Sequence, residues 1–213
     1  VLLAATATKA SLYILARILF SVFENSEDLI NNTLLYIILP LSIIAMFAGT
    51  IMAIYEKDIK RLLAHSSVAQ IGYITLAFAI GTKASIAAGF IHMFNHAIIK
   101  GGLFIAITSL GFFIQKRVTI NNLSGLGRAM PITFFCFVLC SLSLAGLPLT
   151  AGFISKLYLI KATISSDAIW IAILILISSA LSVVYLWKMI EVMWMQEGRK
   201  IVIKENPAIY ISL

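Results

Sequence analysis

Long apolar segments alternate with short polar ones along nearly the whole chain. A helix that crosses the hydrocarbon core of a membrane needs about 20 mostly apolar residues, and most of these segments reach that length. The pattern therefore predicts an all-α membrane protein, a single transmembrane domain over residues 1–213 with about six transmembrane helices. We place the predicted spans at residues 1–23, 33–55, 62–80, 84–114, 130–164 and 168–195.

The fifth apolar segment is too long for one straight span. As a single helix, residues 130–164 would extend about 50 Å, whereas the hydrocarbon core is about 30 Å thick. Pro148 lies near its centre, between Gly146 and Gly152, and a proline inside a helix removes a hydrogen bond and clashes with the preceding turn. The segment is therefore either two spans or one discontinuous helix that is broken near Gly146–Gly152.

The distribution of charge favours the discontinuous helix. The polar loop at residues 24–32 carries acidic residues and no basic one, whereas the loops at 56–61 and 115–128 are basic. Lysine and arginine collect in the cytoplasmic loops of membrane proteins, which places both basic loops on one side. A single broken span also brings the basic residues at 199–204 to that side, so we predict one discontinuous helix there.

Composition supports a membrane protein and excludes other classes. Of the 213 residues, 61% are hydrophobic and 12% are charged, about half of the charged fraction that is usual in a soluble domain. Disorder is excluded because it requires low hydrophobicity. The net charge of +7 fits basic loops at a membrane surface, so we expect the lipid bilayer and no nucleic acid as a partner. No motif for flavin, nicotinamide, quinone or iron–sulfur binding is present, and we predict no cofactor.

Three lysines lie well inside apolar segments, namely Lys9, Lys100 and Lys156. An ionisable residue within the bilayer is costly and is a functional candidate by default. Arg17 and Lys161 lie near span ends, where a long side chain can extend to the interface, and we interpret them as anchors. The three deeper lysines are the stronger candidates for function.

One helix face carries three titratable groups. His92, His96 and Lys100 follow each other at intervals of four residues, which places them in one row along a helix. Histidine titrates near neutral pH, and a lysine removed from water can give up its proton, so the row is a candidate proton relay. Two histidines at this spacing can also bind zinc, but a catalytic zinc needs a third ligand. No acidic residue lies nearby in the sequence, and we predict no metal.

The acidic residues do not match the buried lysines. None of the nine acids lies near the centre of a predicted span, although buried charges are usually paired. Either the lysines are held neutral, or their partner comes from a preceding part of a longer chain or from an adjoining subunit. The chain begins with Val1 inside an apolar run, and we expect it to be part of a larger protein.

Four ordered motifs resemble one known family. They are similar to motifs of the antiporter-like membrane subunits, which include the large proton-pumping subunits of respiratory complex I and the related subunits of Mrp-type cation/proton antiporters. The motifs are ATATK at residues 5–9, followed by Tyr13; DIKRLLAHSS and QIGY within residues 58–73; HMFNHAIIK at residues 92–100; and LPLTAGFISK at residues 147–156.

The resemblance implies a fold and a set of roles. Lys9, Lys100 and Lys156 would belong to a central hydrophilic axis, with His92 and His96 beside it. The chain would match helices eight to thirteen of a fourteen-helix fold, the second discontinuous helix included and the first half of the fold absent.

The resemblance also implies partners and a location. The chain would be a proton-translocating subunit either of a redox-driven pump or of an antiporter, with the D component of Mrp antiporters the closest in character. It would work with other membrane subunits in a bacterial or mitochondrial inner membrane, moving protons, with sodium as a second candidate ion. The alternative is a truncated scaffold fragment that transports nothing.

Two positions depart from the family pattern. His65 stands where the family usually has tyrosine, and Gly101 stands where a larger small residue is common. We predict His65 at the edge of its span, on the same side of the membrane as the basic loops.

Overall fold

The boundaries between polar and apolar segments become helix ends in the computed structural model, which describes residues 6–22, 32–111 and 118–196. Within these ranges the regular elements are helical. In chain order they are α1 (Thr8–Arg17, continued by a π-helical turn at Ile18–Val22), α2 (Leu34–Tyr55), α3 (Ile59–Ile80), α4 (Lys83–Gly111), a 3-10 turn (Ile120–Leu123), α5 (Leu126–Ala129), α6 (Pro131–Ala145), α7 (Ala151–Ser165) and α8 (Ile169–Trp194).

Four helices of the described ranges, α2, α3, α4 and α8, are long and apolar enough to cross a membrane. A further pair, Ile120–Ala129 with Pro131–Ala145, is bent by 120° and raises the number to five at most. The predicted all-α membrane fold is therefore confirmed. The first predicted span is described only from residue 6 to residue 22. The acidic loop at 24–31, the basic residues at 115–117 and those at 199–204 lie outside the described residues.

The fifth predicted segment is broken, as expected. It forms two helices of fifteen residues, α6 and α7, each about 22 Å long and so shorter than the hydrocarbon core of about 30 Å. Gly146 ends α6 in the left-handed conformation, with φ of +83°. The backbone N–H of Leu147 then donates to the carbonyl of Leu142, the closing hydrogen bond of a helix that ends on glycine.

The second half of the break starts a new helix. The Thr150 hydroxyl oxygen accepts a hydrogen bond from the backbone N–H of Phe153 at 3.3 Å, which caps the N-terminus of α7. Leu149 between the two helices also has a positive φ, of +71°, and its side chain is fully exposed. The break thus turns the chain at mid-segment without continuing either helix.

Helices α2 and α3 cross with their backbones in close contact. A Cβ atom on Gly72 would lie 2.7 Å from the backbone nitrogen of Met46, and one on Gly49 would lie 2.8 Å from the carbonyl oxygen of His65. Such distances leave room for glycine alone. The crossing fixes α3 in the interior, where both its ends and its centre are buried.

Two polar loops meet at one end of the helices. The Asp58 side chain caps α3 by accepting from the backbone N–H of Lys60 at 3.0 Å. The backbone N–H of Ile59 donates to Val118, and that of Ile120 donates to Lys57. The basic turn at 56–61 therefore lies beside the start of the 118–129 segment, at the same end of the molecule. Helix α4 packs between α3, α6 and α7, and α8 packs on α2, α6 and α7.

Candidate functional site

The five predicted relay residues are all buried between the packed helices. Each has 7% or less of its surface exposed. Lys9 comes from α1; His92, His96 and Lys100 come from α4; and Lys156 comes from α7. The structure therefore places all five in the interior of the chain, away from the exposed apolar surface of the helices.

His92 joins three helices through its imidazole ring. Its Nδ1 atom lies 2.8 Å from the hydroxyl oxygen of Ser155 on α7, and its Nε2 atom lies 2.9 Å from the Oε1 atom of Gln70 on α3. Because the amide oxygen of Gln70 can only accept, Nε2 carries the proton in this arrangement. The Ser155 oxygen also lies 3.0 Å from the carbonyl oxygen of Gly152 at the helix break. Its single hydroxyl proton can therefore go either to this carbonyl or to Nδ1 of His92.

Lys156 is held by oxygens of the break and of α8. Its Nζ atom donates to the carbonyl oxygens of Leu144 at 3.2 Å and Ala145 at 2.9 Å, which belong to the last turn of α6. A third bond, of 3.0 Å, goes to the hydroxyl of Ser179 on α8. The ring of Tyr73 lies 4.9 Å from the same nitrogen, measured to the ring centroid.

Lys100 has its own pair of oxygen partners, both on α3. Its Nζ atom donates to the carbonyl of Leu63 and to the hydroxyl of Ser66, and the ring of Phe104 lies 6.0 Å away. The Ser66 hydroxyl also donates to the Leu63 carbonyl at 3.0 Å. The lysine is thus fixed against one turn of α3.

His96 interacts electrostatically with more members of the cluster than His92 or Lys100 does. It lies within electrostatic range of the other four residues, namely Lys9, His92, Lys100 and Lys156. Neither of its ring nitrogens hydrogen-bonds to another residue that the structure describes. His92 also interacts electrostatically with Lys156, and Lys100 with Lys9. The structure therefore brings the five predicted residues into one electrostatically coupled group.

Neutral oxygen atoms surround the ammonium groups of Lys100 and Lys156. Lys100 and Lys156 hydrogen-bond to carbonyl and hydroxyl oxygens. A carboxylate lies near an imidazole at the N-terminal end of α3, where Glu56 Oε2 is 3.8 Å from His65 Nε2. An acidic partner from the same chain is therefore not needed to place these two ammonium groups.

Several polar residues of the site were not predicted. They are the small or neutral partners of the titratable groups: Ser66, Gln70, Ser155 and Ser179. A signal existed for two of them, because Ser66 and Gln70 are four residues apart on an otherwise apolar helix and so share a face. Ser155 immediately precedes Lys156, but nothing in the spacing singles out Ser179.

Comparison with known proteins identifies the family. The family described as "NADH:quinone oxidoreductase/Mrp antiporter, TM" matches residues 1–182. The chain belongs to this family. The resemblance expected from the four motifs is thereby confirmed, and the chain is an integral membrane protein of the antiporter-like family.

Relatives of the antiporter-like family come from several kinds of complex. The NADH-quinone oxidoreductase subunit N of Desulforudis audaxviator is 37% identical over 190 residues, which cover 89% of this chain and 37% of that protein. A chain in the structure of the Mrp complex from Dietzia sp. DQ12-45-1b has a TM-score of 0.82 and 28% identity, covering 89% of this chain and 34% of that one. A chain of the membrane-bound sulfane sulfur reductase, an archaeal respiratory membrane complex, has a TM-score of 0.83 and 29% identity, covering 99% and 43%.

Two facts about these family members bear on the predictions. The chain spans less than half of the length of the curated relatives it matches. Those relatives are named subunit N, so the predicted closeness to the D component of Mrp antiporters in particular is not supported. The likeness to an Mrp complex is one of fold and of moderate sequence identity.

Proposed function

We propose that the chain is a proton-translocating membrane subunit of a multi-subunit complex, of the complex I type or the Mrp type. In this proposal Lys9, His92, His96, Lys100 and Lys156 form a relay along the interior of the chain. The observation that carries it is the position of His92, which contacts the residue next to Lys156 while sharing a helix face with His96 and Lys100.

The contacts support a path for protons between Lys156 and Lys100. Ser155 lies next to Lys156 on α7, and its hydroxyl contacts His92 on α4. His92, His96 and Lys100 are then one turn apart from each other, about 5–6 Å between neighbouring Cβ atoms. Histidine can accept and release protons near neutral pH, so in this proposal protons pass along the row with rotation of the imidazole rings.

The helix break supports the same proposal. Irregular backbone at membrane depth is tolerated where it is buried in protein or lines a cavity, and transporters use the open ends of broken helices to bind ions. Here the last carbonyls of α6 accept from the ammonium of Lys156. The negative end of the α6 dipole favours a cation at this point, so the break would stabilise the charged form of this lysine.

The names of the relatives indicate only which class of reaction would drive proton movement. The relatives are named for quinone reduction, for an Mrp complex and for a sulfane sulfur reductase, so we propose coupling to neighbouring subunits rather than redox chemistry in this chain. The ions would be protons, with sodium as a second candidate, in a bacterial or mitochondrial inner membrane. The chain would supply the part of the fold that corresponds to helices eight to thirteen.

Proton flux in the assembled complex tests this function. Lys156→Ala and Lys100→Ala should each reduce flux into reconstituted vesicles by about a hundredfold, the contribution that is typical of a positioned acid or base. Lys161→Ala is the matched control, since Lys161 lies on the same helix α7 but is exposed. Wild-type flux in both test variants would contradict the relay, and it would favour a scaffold that transports nothing.

A further inference from the structure

The ammonium of Lys156 occupies a recess that is lined with neutral oxygen atoms. The carbonyls of Leu144 and Ala145 and the hydroxyl of Ser179 lie 2.9–3.2 Å from its Nζ atom. The aromatic face of Tyr73 covers a further side, 4.9 Å away. These groups come from three helices, α3, α6 and α8, and the lysine enters from a fourth, α7.

The recess is shaped around the lysine. A Cβ atom on Gly146 would lie 2.9 Å from the Cδ atom of Lys156 and 3.3 Å from its Nζ atom, so any larger residue there would press on the side chain. Ser179 is also oriented by the break, because its hydroxyl donates to the carbonyl of Ala145 at 2.8 Å. With its proton directed to that carbonyl, the serine oxygen presents a lone pair to the ammonium.

The same set of groups has the chemistry of a monovalent-cation site. Backbone carbonyls at the C-terminal end of a half-helix coordinate sodium in discontinuous membrane helices, and rings of carbonyl oxygens replace the hydration shell of potassium in channels. The helix dipole adds a negative potential at this end, and an aromatic face also attracts a cation. No carboxylate contributes to the recess among the described residues, which favours a single positive charge over a divalent ion.

We propose that this recess is a binding site for a monovalent cation, and that Lys156 fills it with a tethered ammonium. The lysine would thereby exclude free sodium and potassium from the helix break and determine which ion the break can hold. The proposal goes beyond proton translocation, because it concerns the selectivity of the recess. Its test measures binding rather than flux, so the two proposals can fail separately.

Binding of radiolabelled sodium to the assembled complex provides the test. Lys156→Ala should create one additional site per chain that is absent from the wild type, and potassium or butylammonium should compete for it. Adding Ser179→Ala should weaken this binding by about tenfold, since one of the oxygen ligands is lost. Lys156→Met, which fills the recess with an apolar side chain of similar length, should create no site, and neither should the exposed control Lys161→Ala.

Each outcome of this experiment either supports the proposal or overturns it. If Lys156→Ala assembles and binds no more sodium, potassium or butylammonium than the wild type, the proposal is wrong. If this variant fails to assemble, its assembly is compared in sodium, butylammonium and choline salts. Recovery in the first two and not in choline, which is too bulky for the recess, would support a cation site. Failure in all three would overturn it, because a cation site should accept one of the free ions.

Discussion

The Nδ1 atom of His92 on α4 lies 2.8 Å from the hydroxyl oxygen of Ser155 on α7. The two residues are 63 positions apart in the chain, and the contact joins the row of titratable groups on α4 to the helix that carries Lys156. The Ser155 oxygen also lies 3.0 Å from the carbonyl oxygen of Gly152, so the same hydroxyl links the histidine to the helix break. The serine is thus the direct connection between the two parts of the proposed relay.

Removing that hydroxyl should slow proton movement without removing a titratable group. Ser155→Ala is expected to reduce proton flux by about three- to twentyfold, since a hydrogen bond between membrane helices contributes about 0.6 kcal/mol on average and up to about 1.7 kcal/mol. The measurement is proton flux into vesicles that contain the assembled complex. The contacts of Lys156 with Leu144, Ala145 and Ser179 do not involve Ser155, so the lysine should stay in place.

Ser165→Ala is the matched control for this substitution. Ser165 lies on the same helix, is exposed, and bonds within its own helix to the carbonyl of Lys161, so flux should be unchanged. If Ser155→Ala also leaves flux unchanged while the complex assembles normally, the link between His92 and the α7 helix plays no part in transfer.

The sequence predicts those features that are local and chemically conspicuous. A lysine or histidine deep in an apolar segment stands out because its burial is costly, and the five residues predicted for the relay are all buried. The break was predictable because Pro148 and the glycines beside it act on their own stretch of backbone.

The partners of these residues were not predictable in the same way. Ser155 and Ser179 resemble many other serines in membrane helices, and a single hydroxyl costs little to bury when it bonds to its own helix. Their roles depend on how α3, α4, α7 and α8 approach one another. The carbonyl partners of Lys156 arise only because α6 ends shortly before the lysine's helix begins, and a backbone carbonyl leaves no mark in the sequence as a carboxylate would.

The helix break should tolerate no side chain at Gly152. A Cβ atom there would overlap the carbonyl oxygen of Ser143, which is backbone and cannot rotate away. Gly152→Ala is therefore expected to destabilise the packing of α6 on α7 by about 1–3 kcal/mol or more. The measurement is the yield of assembled complex and its midpoint of thermal inactivation.

Gly101→Ala is the matched control, because nothing lies within 4 Å of the position that its Cβ would take. Alanine in a helix interior is more favourable than glycine by about 0.5–1 kcal/mol, so this variant should be at least as stable as the wild type. Equal losses from Gly101→Ala and Gly152→Ala would show that the contact at the break is not the cause.

The turn between α2 and α3 should lose order in acid because of Glu56. Its Oε1 atom accepts from the backbone N–H groups of Lys57 at 2.9 Å and Asp58 at 3.0 Å. The N–H of Asp58, and then that of Lys57, hold the pKa of the Glu56 carboxyl below its ordinary value. The folded turn therefore binds fewer protons than the unfolded one, and the stabilisation is complete above the ordinary carboxylate pKa of about 4.3. It should be lost as the pH falls through the lower, folded pKa.

Hydrogen-exchange protection of the amides at residues 57 and 58 measures this effect. Protection corrected for the intrinsic exchange rate should fall in acid for the wild type, whereas Glu56→Gln should give weaker protection near neutral pH and little dependence on acid. His65→Tyr removes the 3.8 Å contact with Glu56 but leaves the backbone donors intact. The acid dependence should therefore persist in His65→Tyr. Its disappearance there would mean that the contact with His65, and not the pair of backbone hydrogen bonds, maintains the turn.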